Sequence, residues 1–297
     1  MPFRAAFDCL WCGRAWQTRG PADLEGWASL CPDCLGRAQD NSFLRFRLRA
    51  ALQERARSAT PATELAVSAA NADPDLDMRA YYAARAPEYD DWYMRRGCYS
   101  RGPVLDLAWQ MELDQATQWL DRQPLRGEIV ELAAGTGWWS PLLAQKGELA
   151  LYDINAEPLE LARERLLAHG LRAHIHVRDA WAEPDRQVDA LFCGFWLSHV
   201  GPERLAGFLG LVRGWLKPGG RLAFIDSLAD PESGAVDHDP VTRDGVALRR
   251  LADGRAFRVP KIHHRPEQLA TAIVEAGLSE VQVGTTSRFF LMGSAIR

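Results

Sequence analysis

Two kinds of residue in this sequence are placed to do chemistry: thiols in close pairs, and carboxylates at the ends of apolar runs. Cys9 and Cys12 form one C-x2-C pair, Cys31 and Cys34 a second, and eighteen residues separate them. Thiolates three positions apart on a tight turn grip one side of a tetrahedral ion, and a second pair closes the other. Paired knuckles at this gap are the pattern of a four-thiolate Zn2+ site. Four protein ligands leave no open position, so such a site is structural. A segment this short cannot fold on an apolar core alone, so the metal supplies much of its folding free energy. Cys98 and Cys193 stand apart from the pairs and read as ordinary thiols.

The carboxylates tell a different story. EIVELAAGTGWWS, Glu128 to Ser140, leads an apolar run carrying Glu131 into Gly135 and Gly137 and then Trp138 and Trp139. Glycine at such a place lets main chain approach a ligand closely. Asp153 ends the next apolar run, 22 residues after Glu131, and Asp179 follows a third. A carboxylate at the second position can accept from both hydroxyls of a ribose, which disfavours a 2'-phosphorylated cofactor. The G-T-G here is not G-x-G-x-x-G, and no G-x-x-x-x-G-K-[ST] occurs, so a nucleoside triphosphate is disfavoured as well. Carboxylates and aromatic faces suit a cation, whereas a pyrophosphate favours a bare helix N-terminus. His199, just past a fourth apolar run, is a candidate base by its ordinary pKa. His263 and His264 read as solvated loop, and His169, His174 and His176 as structural.

The elements that must position these residues alternate. EIVELA, ELALYDI, RAHIHVRD, VDALFCGF and RLAFIDS read as strands, and WWSPLLAQK, AEPLELARERLLAHG, PERLAGFLGLVRGWLKPGG and RPEQLATAIVEAGL as helices between them. EVQVGTTS and RFFLMGSAI close the chain as two strands that Ser287 and Arg288 can join only as an antiparallel pair. The expected fold is α/β, a doubly wound, mostly parallel seven-stranded sheet with an antiparallel last strand. In such a sheet the ligand lies beyond the strand carboxyl ends, which directs attention to Glu131–Gly137, Asp153, Asp179, Phe195–His199 and Asp226.

VELAAGTG, LYDIN, RDAWAEP, VDALFCGFWLSHV and LKPGGRLAFID, in that order, resemble class I S-adenosylmethionine-dependent methyltransferases, and YYAARAPEYDDWY resembles the first helix of their small-molecule members. The similarity runs from about Tyr81 to Arg297. It implies that Glu131 and the main chain from Ala133 through Gly135 to Gly137 hold the methionine part of S-adenosyl-L-methionine. It implies further that Asp153 binds the ribose and that Ile154 lies against the adenine. Asp179 then accepts from the adenine amino group, the Ala180 N–H donates to the ring, and Tyr89 covers the methionine end, with Phe195 beside the cofactor. Ala133, often glycine in that family, and the bulky Trp138 and Trp139 depart from its pattern. The stretch of paired cysteines resembles a zinc ribbon.

Residues 1–57 are expected to form the zinc-ribbon-like module with a basic helix, 58–76 a linker carrying a short helical turn at 63–69, and 77–297 the catalytic domain. The basic helix follows Ser42 as cap, with Phe43, Leu44, Leu48, Ala51 and Leu52 as its apolar stripe. Arg45, Arg47, Arg49, Arg55 and Arg57 against Glu54 leave it a charge of +4, read as a solvated face. A long connector, about 228–260, reads as a lid over the acceptor, together with the helix of Tyr81 to Tyr93. The net charge of −4 is not the footprint of a nucleic-acid binder. No run of 18 apolar residues and no leader-like segment is present, so a cytoplasmic protein without a membrane partner is expected. Three activities fit these observations. The first is methyl transfer to oxygen or nitrogen of a small molecule, the second methyl transfer to RNA or protein gripped by the cysteine module, and the third a non-catalytic adaptor that only binds the cofactor.

Overall fold

The computed structural model describes residues 3–38, 41–58, 74–236, 238, 241–242, 244–251 and 253–297. They divide into two compact units, residues 1–71 and residues 72–297, the second without 252–255. In the first, β1 (Ala6–Asp8) and β2 (Ala15–Gln17) pair antiparallel, and α1 (Leu24–Ala28), α2 (Pro32–Gly36) and α3 (Ser42–Ser58) follow. Asn41, not Ser42, caps α3, its Oδ1 accepting from Leu44 N at 3.1 Å. Leu44 and Ala51 are buried with Trp27, Leu30 and three of the cysteines, whereas Phe43 and Leu52 of the expected stripe are 38% and 50% exposed. Arg47 is buried, not solvated, and its Nε donates to Ala28 O at 2.9 Å. The expected turn at 63–69 lies outside the described residues.

The second unit opens with α4 (Pro74–Arg85). The helix expected through Tyr93 breaks at Ala86–Glu88, a 3-10 turn, before α5 (Asp90–Tyr93). Pro87 lacks the N–H that a continuous helix needs there. α6 (Pro103–Arg122), unassigned from sequence alone, buries Trp109, Leu113, Ala116 and Leu120 along one face. Then come β3 (Gly127–Leu132), α7 (Ser140–Ala144), β4 (Gly147–Asp153), α8 (Ala156–Ala168), β5 (His174–Val177), β6 (Val188–Gly194), α9 (Pro202–Trp215) and β7 (Leu216–Ser227). A hairpin of β8 (Val246–Arg250) and β9 (Ala256–Pro260), helix α10 (Pro266–Glu275), β10 (Ser279–Thr285) and β11 (Phe290–Ile296) complete it.

The seven strands lie in the order β10-β11-β7-β6-β3-β4-β5. β3 to β7 run parallel, and β11 is antiparallel to both β7 and β10, so the fold class read from the sequence holds. β3 and β6 are buried over nearly their whole length because helices cover both faces, which is why their sequences read as continuous apolar runs. Strand order reverses between β3 and β6, and there the carboxyl ends part to leave a crevice. One boundary differs from expectation. The α9 helix stops at Trp215, and Leu216–Gly220 already belong to β7. A register shift against β6 at Val188/Ala190 absorbs Pro218, which cannot donate to a regular ladder.

The β10–β11 turn is tied to α6. Buried Glu112 accepts from Phe289 N at 2.8 Å, from Arg288 N at 3.1 Å and from the Thr286 hydroxyl. Gly293 of β11 has no room for a side chain, since a Cβ would strike the Phe224 ring and lie 2.9 Å from Gln282 O. Gly293→Ala is expected to cost about 1–3 kcal/mol by overpacking, seen as a lower urea midpoint at unchanged slope.

Candidate active site and cysteine cluster

The crevice is an open cleft lined from α4, the β3–α7 loop, the ends of β4 and β6, and the segments after β5 and β6. Asp153 closes β4. Its Oδ2 accepts from Gly135 N and its Oδ1 from Asn155 N, each at 2.9 Å, so two main-chain donors fix the carboxylate at the crest. Burial nonetheless raises its pKa to about 6. Asp179 Oδ1 accepts from Trp181 N at 2.9 Å, which places that carboxylate at the mouth. Ala133 and Phe195, at the ends of β3 and β6, take left-handed φ of 51° and 57°. Such conformations cost a non-glycine residue about 1–3 kcal/mol and recur where a site over-determines the backbone.

Of the residues singled out in the sequence, Tyr89, Ala133, Gly135, Asp153, Ile154, Asp179, Ala180, Phe195 and His199 line this one cleft. Glu131 and Gly137 do not. Glu131 lies beneath it, 2% exposed, and accepts from Ser140 Oγ at 2.6 Å. Gly137 is needed for packing, because a Cβ there would sit 2.6 Å from Ala162 Cβ of α8. Trp139 is buried in the core, and Trp138 stacks on Tyr93 with centroids 4.2 Å apart and planes at 3°. Both tryptophans therefore pack the loop against its helices. Thr136 Oγ1 donates to Asp90 Oδ1 at 2.7 Å, and Asp90 also pairs with Arg165, which ties the glycine loop to α5 and α8.

His199 sits on a short 3-10 turn after β6. Its Nδ1 lies 2.6 Å from Pro260 O and its Nε2 2.8 Å from the Tyr82 hydroxyl. A carbonyl only accepts, so the proton is on Nδ1 and Nε2 accepts from Tyr82. Burial, then the nearby Lys261, pushes the His199 pKa down to about 3, so the ring is neutral and not the freely titrating histidine that its type suggests. Lys261 Nζ donates to Ser198 Oγ and Ser227 Oγ, each at 2.7 Å, and stands 4.0 Å from Asp226 Oδ1. KIHHRP is thus not a solvated loop. His264 Nε2 is 2.9 Å from Leu197 O, and burial lowers the His263 pKa to about 4. Among its described residues the connector of about 228–260 supplies none to the lining, and its β8–β9 hairpin packs on α4, with Phe257 and Tyr81 rings 5.7 Å apart.

Sequence reasoning missed Arg79, Asn155 and Trp181 and reached Tyr82, Thr136 and Trp196 only as members of longer stretches, though all six are in the lining. The α4 pair had one legible signal, its helical spacing of three from the first aromatic run, but nothing local said which face meets the cleft. The acids of the lining, Asp75, Asp153 and Asp179, outnumber its single arginine, Arg79, with His199 neutral. That donor set fits a phosphate-free nucleoside bearing a cationic centre and opposes a pyrophosphate.

In the other unit, the sulfur atoms of Cys9, Cys12, Cys31 and Cys34 all lie within 4.8 Å of one another. Cys12 Sγ and Cys31 Sγ are 3.7 Å apart, close to the edge of about 3.8 Å that a tetrahedron with 2.3 Å Zn–S bonds requires. Cys31 N donates to Cys9 Sγ at 3.3 Å, and hydrogen bonds from main-chain N–H groups lower the Cys9 pKa against its burial, to about 6, whereas burial pushes the Cys31 and Cys34 thiols up when no ion is bound, so it is the geometry that carries the site. The cluster therefore suits a thiolate-binding ion.

A doubly wound sheet with an antiparallel strand inserted beside β7, and a cleft of acids at its crest, defines a nucleoside-binding enzyme of the class I methyltransferase type. A methyltransferase domain model matches residues 129–220. The ubiquinone/menaquinone biosynthesis C-methyltransferase UbiE of Yersinia enterocolitica is 30% identical over 178 residues, covering 52% of this chain and 68% of that protein. The same enzyme of Proteus mirabilis is 31% identical over 169 residues, 52% of this chain and 66% of that one. This chain thus spans about two thirds of the length of these relatives. A DhpI-SAM-HEP complex superposes with a TM-score of 0.60 at 29% identity, over 76% of this chain and 99% of that one. This chain belongs to the S-adenosylmethionine-dependent methyltransferase family.

Buried Glu131 gives a direct check on the site's electrostatics. Burial raises its pKa from 4.5 to about 8. A raised folded-state pKa means stability present below the unfolded value and lost as pH rises through the folded one. The ligand-free protein should therefore lose stability between about pH 4.5 and 8 more steeply than Glu131→Gln, with a difference on the order of a few kcal/mol, measured by urea unfolding across that range.

Proposed function

We propose that this methyltransferase acts on a small-molecule acceptor bound in the cleft beside α4, through oxygen or nitrogen. The observation that carries the reading is the walled cleft itself. α4 and α5 lay Tyr82 and Tyr89 over a crest of fixed acids, and the Tyr82–His199 pair forms the wall facing the methyl donor's expected position. UbiE relatives are named for carbon methylation, so carbon is the outcome that a product analysis must distinguish.

Bound S-adenosylmethionine supplies an already activated methyl group, and the chain's residues supply position. Asp153 accepts from the ribose hydroxyls, Asp179 and the Ala180 N–H read the adenine, and Ile154 packs its face. Ala133 to Gly137 approach the methionine part as main chain. Glu131 acts from below through Ser140 and the loop, and Tyr89 and Phe195 close the site against water. His199, neutral and with Nε2 accepting from Tyr82, orients that phenol at the acceptor side of the cleft and is too weak a base there to take the acceptor's proton. The four cysteines hold a structural Zn2+ and fold the N-terminal module.

Asp153→Ala should weaken S-adenosylhomocysteine binding on the order of 100-fold, the loss of two charge-assisted hydrogen bonds, while Asp153→Asn, whose one amide oxygen can accept from only one of Gly135 N and Asn155 N, should lose less. Unchanged affinity in calorimetry would defeat the cofactor assignment. For the cysteine cluster, a chelator is expected to abolish the folded signal of the N-terminal module and leave thermal unfolding of the other unit in place. Zn2+ should restore it, and a protein purified without about one metal per chain would contradict the assignment.

A further inference from the structure

Behind the tyrosine wall lies a set of positive charges that the reaction described above does not use. Arg85, at the end of α4, is 7% exposed. Its guanidinium stacks 4.5 Å from the Tyr89 ring centroid and 5.3 and 5.5 Å from those of Tyr99 and Tyr81. Its Nε has no hydrogen-bond partner, and neither has the Tyr81 hydroxyl. Arg249, on β8, is half-buried, and the groups acting on it are Tyr81, Tyr82, Arg85 and Tyr99. Lys261 follows β9 and is itself acted on by Asp226, Arg249 and Arg85. Of these cations only Lys261 is seen beside a carboxylate among the described residues, its Nζ 4.0 Å from Asp226 Oδ1, and the Asp226 oxygens already accept from Ser198 N at 2.8 Å and Ser227 N at 2.7 Å. Asp91 also influences Arg85 but is not in ion-pair contact with it. Among the described residues neither Arg85 nor Arg249 has an ion pair.

Positive charge without a counter-charge is expensive to desolvate, and removal of one partner from a buried pair leaves this kind of remnant. Cation–π contacts with three tyrosines offset part of that cost for Arg85, but they leave its Nε without an acceptor. Tyr82, Tyr89 and His199 line the methyltransferase cleft on one side and face this cluster on the other. The missing component is therefore an anion that enters from the cleft.

We propose that Arg85, Arg249 and Lys261, with the Tyr81 hydroxyl, form an oxyanion subsite that binds a carboxylate or phosphate-type group on the methyl acceptor. The inference rests on the reading of the cleft as the acceptor site of a methyltransferase. It narrows the acceptor to a small anionic molecule, held by its charged end beyond Tyr82 and Tyr89 while the rest reaches toward the cofactor.

The test uses the full chain saturated with S-adenosylhomocysteine, at constant ionic strength set with chloride. Inorganic phosphate, acetate and the neutral analogue acetamide are titrated by calorimetry. Saturable, one-to-one binding of phosphate or acetate but not acetamide is expected, and the tighter of the two identifies the type of oxyanion. Arg249→Met and Lys261→Met should each weaken that binding by at least about tenfold, with S-adenosylhomocysteine affinity changed less than about twofold. Arg249→Lys should restore most of it. In the ligand-free state Arg249→Met should raise the melting temperature at low salt, because it removes an uncompensated charge, whereas loss of a merely structural arginine would lower it. Failure of both anions to bind saturably, or equal binding by the variants, overturns the subsite. Failure of wild-type protein to bind S-adenosylhomocysteine would instead overturn the methyltransferase reading of the cleft.

Discussion

The site hangs on one carboxylate at the end of one strand. Asp153 closes β4 where the sheet is buried on both faces, a poor environment for a charge. Gly135 N and Asn155 N each donate to it, and these two hydrogen bonds join the glycine loop after β3 to the start of α8. The loop's conformation, the left-handed Ala133 beside it and the open space over Gly135 all follow from that pairing. A parallel sheet whose strand order reverses between β3 and β6 supplies the crevice, and the Asp153 network gives it a floor with acceptors pointing outward.

The opposite wall obeys a different rule. There the chain collects tyrosines, a neutral histidine and cations from α4, β8 and the segment after β9. The floor thus presents acids to the cleft, and the cations stand behind its tyrosine wall. The acids suit the sulfonium donor and the cations suit an anionic acceptor, so the two reactants would be drawn to opposite sides with the methyl group between them. The β8–β9 hairpin, expected as a lid, serves this arrangement from behind. It brings Arg249 to Tyr81 and Tyr82 and offers Pro260 O to His199, which sets that ring's tautomer.

The cysteine unit follows yet another rule. Its core holds Trp27, Leu30, Leu44 and Ala51 around three buried cysteines, so thiol placement and apolar burial are one event. The arginine-rich helix contributes to the same core through Arg47, which satisfies the Ala28 carbonyl at the end of α1. A residue counted as surface charge from its neighbours in sequence is a structural donor in three dimensions.

Periodicity and spacing were enough for the alternation of β3 to β7, the antiparallel close of the chain and the cysteine tetrad, because each depends on neighbours within one strand or turn, whereas much of the cleft lining, Tyr89, Ile154 and Ala180 among it, came from the resemblance of the motifs to methyltransferases. Ligand-contacting glycine could not be told from packing glycine. Gly135 faces open space and Gly137 faces Ala162, a difference made by α8 and not by the G-T-G itself. The protonation of His199 was likewise beyond a local reading, since it is decided by burial, by Lys261 some sixty positions away and by a carbonyl of β9. Residue type and short-range pattern determined the strands of the main sheet and the cysteine tetrad, though not α6 or the β8–β9 hairpin, and the resemblance of the motifs supplied the cofactor class. Only the tertiary structure decided which polar groups share a desolvated space, and so which of them keep a charge, a proton or an unsatisfied donor.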